Sequence, residues 1–138
     1  MCIRDSTYSV ASNGTPGCTD TGVVTVNICK VDAQDERNLF VCAGGTIDIP
    51  VLANDTTSCG TLNCSSLAIT VPPAQGTATV AQNCTGGAGA CPSSCVRYTA
   101  PNNFSGTVSF TYSVSNSGSP TCSDTATVTI QVLSLIHI

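Results

Sequence analysis

This chain of 138 residues predicts an all-β sandwich. Three observations carry the prediction. Short apolar runs alternate with polar residues, no stretch repeats with a helical period, and segments rich in Gly, Pro and Asn recur between the runs. The pattern is clearest over residues 103–132. Val108, Phe110, Tyr112 and Val114 fall on one face of an expected strand, and Ala126, Val128, Ile130 and Val132 on one face of the next. A period of two marks a strand with one buried face. The polar segment 115–120, with Gly118 and Pro120, reads as the turn between them.

That hairpin occurs twice. Residues 7–28 align without a gap on residues 111–132, at an offset of 104 fixed by Cys18 and Cys122. Tyr8 falls on Tyr112, Pro16 on Pro120 and Asp20 on Asp124. A period this long is too large for a solenoid unit and suits an array of small domains, each with its own core. The expected organisation is therefore the C-terminal hairpin of a preceding repeat over 7–29, then one repeat over 30–132.

Within that repeat, 30–38 carries the densest charge and reads as a linker. Strands are expected at 39–42, 46–52, 67–71, 77–81, 96–99, 107–114 and 126–132. Ile47, Ile49 and Val51 point inward in the second, with Pro50 outward as at a sheet edge. The tight corner Pro72-Pro73-Ala74-Gln75-Gly76 separates the third and fourth. Val96 and Tyr98 face inward in the fifth. Seven short strands at this spacing read as a sandwich of immunoglobulin type, strands A to G in order. That topology gathers the BC, DE and FG loops at one apex and sends strand G out at the other.

The two ends are set aside. MCIRDS at 1–6 and LSLIHI at 133–138 can be encoded by reverse-complementary DNA resembling a transposase end used in sequencing libraries, so both are expected to be sequencing-adapter scars. The single histidine, His137, and Cys2 are then not native. Outside these ends the basic residues are Lys30, Arg37 and Arg97, and the whole chain carries a net charge of −4. That balance offers no basic surface for nucleic acid or anionic lipid. No run approaches the roughly 20 apolar residues that span a bilayer.

Ten cysteines, nine without Cys2, point to an oxidising compartment. Their spacings are not those of a zinc site. Cys59, Cys64, Cys84, Cys91, Cys95 and Cys122 fall on the loops of one apex, enough for three bridges. Six cysteines allow fifteen pairings. Cys84–Cys95 closing the DE loop and Cys59–Cys64 within the BC loop are the expected ones. Cys42 sits at the opposite apex, where the offset places the counterpart of Cys29 at position 133, inside the scar. A native cysteine there is expected to pair with Cys42, leaving Cys18, Cys29 and Cys42 without partners; a Cys29–Cys42 bridge is the fallback.

Four segments in register resemble the bacterial cadherin-like, Ig-like tandem repeats (tandem-95 repeats) of large surface proteins. They are IPVLAND at 49–55, QGTATV at 75–80, VRYTAPNNFSG at 96–106 and SFTYSV at 109–114. The cysteines and the enlarged DE loop depart from that family's pattern. The resemblance implies a cadherin-like sandwich and an extracellular spacer or adhesion repeat. Its partners would be neighbouring repeats of the same chain and a cell-surface or matrix ligand. No cofactor is required, but calcium at a domain junction is the ion to weigh, with Asp32, Asp35, Glu36 and Asp55 as candidate ligands and Asn54 and Asp124 nearby. The alternative for Asp55 is a cap on the BC turn, and for the linker acids simple solvation. Asn13, Asn54, Asn63, Asn83 and Asn103 begin N-x-S/T triplets, read as chance in so Ser- and Thr-rich a chain. With no native histidine, nucleophile elbow or phosphate-binding loop, the chain is not expected to be an enzyme. The other function class is a ligand- or carbohydrate-binding module of a secreted enzyme.

Overall fold

The computed structural model describes residues 3–135; Met1, Cys2 and residues 136–138, with His137, lie outside it. Among the described residues eleven strands are formed. β1 (Ile3–Ala11) and β2 (Thr19–Asn27) make an antiparallel hairpin. β3 (Val31–Asp32) pairs with β6 (Thr56–Thr57). The sandwich itself has a four-stranded sheet, β4 (Glu36–Cys42), β11 (Ser123–Leu133), β10 (Gly106–Asn116) and β7 (Leu62–Val71), in that order. Facing it is a three-stranded sheet of β5 (Thr46–Ile49), β9 (Cys95–Thr99) and β8 (Thr77–Ala81). All pairings in the sandwich are antiparallel except β4 with β11, which is parallel.

The inward residues of both sheets interdigitate. Tyr98, Tyr112, Phe110, Ile49, Leu52 and Ile130 are the largest fully buried side chains. Tyr98 and Phe110 stack with ring centroids 6.5 Å apart, and the Tyr98 hydroxyl donates to the Gln75 carbonyl at 2.9 Å. That contact closes the corner at 72–76, where Gly76 has φ +80° and packs against the Thr99 carbonyl and the Tyr98 ring. A side chain there would be strained by backbone and crowded by both neighbours.

β11 begins at Ser123, three residues before the expected 126, and three further boundaries differ from expectation. The second strand stops at Ile49, because Pro50 has no N–H to continue the ladder; Val51 and Leu52 still face the core, from a turn closed by Ala53 N–H to the Pro50 carbonyl at 3.0 Å. β7 begins at Leu62 rather than 67. Residues 63–66 carry no apolar alternation; Leu62 and Asn63 pair with the extended end of β10, and a bulge takes up the residues before Ala68, where Ser115 N–H donates to Ser66 Oγ. The expected linker holds β3 and the start of β4. Where Val128 to Ile130 of β11 faces Glu36 to Leu39, β4 carries one residue more. Asn38 absorbs it at φ 60°, a bulge using a residue that tolerates the left-handed region.

The β1–β2 hairpin reproduces β10–β11 pair by pair at the 104-residue offset. Tyr8 lies opposite Gly22 as Tyr112 lies opposite Ala126, and Val10 opposite Asp20 as Val114 opposite Asp124. Both turns close alike, Ser12 N–H to Cys18 carbonyl and Asn116 N–H to Cys122 carbonyl. Surroundings differ. Tyr112 and Val128 are fully buried, whereas their counterparts Tyr8 and Val24 are 54% and 47% exposed.

Candidate functional site

The chain enters the repeat at the apex made by the BC and FG loops, and residues 29–35 are fastened there. Lys30 N–H donates to Ser58 Oγ and Ser58 N–H to the Lys30 carbonyl, both at 2.9 Å. β3 then pairs with β6 of the BC loop. Ala33 N–H donates to Asp124 at 3.0 Å and Gln34 N–H to Asp55 at 2.8 Å. Asp35 accepts the Thr127 N–H at 2.9 Å and Arg37 at 3.1 Å. Three acids from three elements thus satisfy backbone donors of, or beside, the entering strand.

Asp55 is the centre of this arrangement. It is only 5% exposed. The Tyr112 hydroxyl lies 2.9 Å from its Oδ2, with the Val51 and Gln34 carbonyls at 3.1 and 3.2 Å. Burial pushes the Asp55 carboxyl above its ordinary range, against the pull of the Gln34 and Tyr112 hydrogen bonds, and the Asp124 and Asp32 charges push the same way as burial. Burial likewise raises Glu36, opposed by a hydrogen bond from Asn54. Tyr112 is pushed far up by burial and then by the Asp55 charge. The Thr127 N–H and then Arg37 hold Asp35 below its usual value.

The calcium candidates therefore gather at one apex, but they do not make a cage. Asp32 pairs with Lys30 at 3.0 Å, and Asp35 and Asp55 spend oxygens on backbone donors and on Arg37 or Tyr112. Among the described residues only Asp48, Cys84 and Cys95 bring three possible ligand atoms within 4.8 Å of one another, and those two sulfurs are bonded together. Calcium wants six to eight oxygens, and the carboxylates as placed do not fit that demand. Asp48 meets Arg97 across β5 and β9 on the exposed face, with two contacts of 2.7 and 2.8 Å.

The cysteines cross-brace the same apex. Cys84 is bonded to Cys95, closing the DE loop. The expected Cys59–Cys64 bridge is not formed: Cys64 lies in β7 and reaches the DE loop at Cys91, and Cys59 is bonded to Cys29. Cys29 is thus neither unpartnered nor paired with Cys42. The loop assignment misled here, because 62–66 is strand and carries Cys64 away from Cys59. Cys122, expected within a bridge, is a free thiol, as are the exposed Cys18 and Cys42. Its Sγ lies 3.5 Å from the Cys29 carbonyl. Asn116, buried, holds the cluster together: its Oδ1 accepts the Cys122 N–H at 2.7 Å and its Nδ2 donates to the Cys59 carbonyl at 3.0 Å. Asn116 continues the inward series of Val108, Phe110, Tyr112 and Val114, but as a polar residue beyond the apolar run it is not legible from the sequence as part of that face.

The family model of the bacterial Ig domain matches residues 31–131. The chain belongs to this family. The bacterial Ig match runs from the start of β3 into β11, leaving the β1–β2 hairpin outside. No curated protein sequence matches the chain. Among solved structures, the chain is similar to the structure of mouse clustered PcdhgC3 EC1-3, at 12% identity and TM-score 0.43 over 96% of this chain and 43% of that one. It is also similar to protocadherin gamma B2 extracellular cadherin domains 3-6, at 14% identity and TM-score 0.41 over 94% of this chain and 33% of that one. This chain spans less than half the length of either structure.

Proposed function

We propose that this bacterial Ig domain is a non-catalytic structural or adhesion repeat of a large secreted or cell-surface protein, a disulfide-braced spacer outside the cytoplasm. The observation that carries the reading is the duplicated hairpin. β1–β2 has the register of β10–β11 at a fixed offset, and it exposes the residues whose counterparts fill the core. An isolated two-stranded hairpin is marginal in water, so β1–β2 reads as the end of a preceding domain of the same kind. The apolar pattern also fails where the scar is expected. Arg4 and Ser6 stand at the positions of Val108 and Phe110. Three disulfides among the described residues suit an oxidising compartment.

Recovering the flanking reading frame tests this. Further copies at the same period are expected on either side; a single copy beside a hydrolase domain would overturn the reading in favour of an accessory module. The acids at the apex act in this account as braces for the entering chain. Isothermal titration with millimolar calcium is expected to show no heat and no change in melting temperature, and a saturable heat would reinstate the ion.

A further inference from the structure

We propose that the Cys29–Cys59 bond is a covalent staple between consecutive repeats. The inference deepens the repeat reading above and rests on it. At the 104-residue offset Cys29 corresponds to position 133, just past the core-facing Val132 of the last strand. It therefore belongs to the exit of the preceding repeat. Cys59 belongs to the BC loop of the following one. A bond between them joins the end of one domain to the leading apex of the next, beside the peptide chain that already connects them.

The surroundings support this pairing independently of the sulfurs. The residues next in sequence, Lys30 and Ser58, are hydrogen-bonded in both directions, and β3–β6 continues that alignment. The two Cα atoms stand 5.5 Å apart, inside the range a disulfide spans. Asn116 bonds the Cys59 carbonyl and lies 3.4 Å from Cys29 Sγ, so the FG loop backs the pair. Closing the bond takes two electrons and two protons from the two thiols. A disulfide-bearing thiol oxidant of the extracytoplasmic compartment accepts them and becomes a dithiol. Sulfur thus doubles the peptide connection at an apex where Asp55 and Asp124 accept the N–H groups of the entering chain.

Cys122 makes the proposal falsifiable, because it is the third cysteine at this apex and a bond to Cys59 would keep the bridge within one repeat. The test is a non-reducing digest, with free thiols alkylated first, of this chain and of the chain extended upstream through the whole preceding repeat. The staple predicts a linked pair of peptides containing Cys29 and Cys59, with Cys122 alkylated, in both chains. A Cys122→Ser variant is expected to keep that linked pair. A Cys59–Cys122 link, or Cys29 joined to another cysteine, in the extended chain overturns the staple. If both domains of that chain still resist protease, the repeat array stands without it.

Discussion

Tyr112 shows how one hydroxyl ties the core to the entry of the chain. Its ring fills the sandwich, and its oxygen sits among Asp55, Val51 and Gln34. Tyr112→Phe keeps the ring and leaves a buried carboxylate short of a donor. It is expected to cost about 1.5–3 kcal/mol in denaturant melts, the range for hydrogen bonds to charged groups. Asp55 gives the apex a pH signature. Its folded pKa lies above the ordinary 3.8, so its contribution is full below 3.8 and is lost as pH rises through the folded value. Asp35 behaves oppositely: its folded value is depressed, and its contribution is lost as pH falls below the ordinary range. Acidification from neutrality is expected first to raise the melting temperature, as Asp55 and Glu36, both raised, take up protons, and then to lower it. Asp55→Asn keeps an acceptor for the Gln34 N–H and removes one titration. Its melting curve against pH should lose part of the initial rise; an unchanged rise would assign it to other groups.

At the scale of elements, strands with one buried face were legible and the rest was not. β10 and β11 alternate along their length, and their extent follows from the sequence within three residues. β7 is a sheet edge whose first half is polar, so its pairing is dictated by β10 and leaves no periodic trace. The same blind spot moved Cys64 into a loop and produced the wrong partner for Cys59. The acids were recognised as a group, but not that Asp35, Asp55 and Asp124 accept the N–H groups of Thr127, Gln34 and Ala33, since one sequence does not reveal which donors a fold leaves bare. The duplicated hairpin offers a direct comparison. Ile130 is fully buried, while its counterpart Val26 is 51% exposed. Ile130→Ala is expected to cost about 2–5 kcal/mol, and Val26→Ala within about 0.5 kcal/mol in this chain. In the chain extended through the preceding repeat, Val26→Ala should become clearly destabilising; if it stays neutral, β1–β2 does not belong to a second sandwich.

For the whole molecule the bridges determine how far it extends when pulled from its ends. Cys29–Cys59 and Cys64–Cys91 span 30 and 27 residues. At about 3.5 Å per residue they keep roughly 200 Å of chain from extending. Single-molecule stretching of a tandem array is expected to show unfolding steps that lengthen by about that amount per repeat when the array is first reduced. Equal steps before and after reduction would mean the bridges are absent.

The parallel pairing of β4 with β11 has a mechanical consequence. Once Cys29–Cys59, which encloses β4, is reduced, tension reaches the repeat through the chain entering at one apex and leaves through the end of β11 at the other, so these two strands are drawn past each other lengthwise. Under such shear the rungs of the ladder share the load and must fail together, whereas a hairpin peeled from one end loses them singly. The seam between the first and last long strands of the sandwich is therefore where this fold would resist rupture.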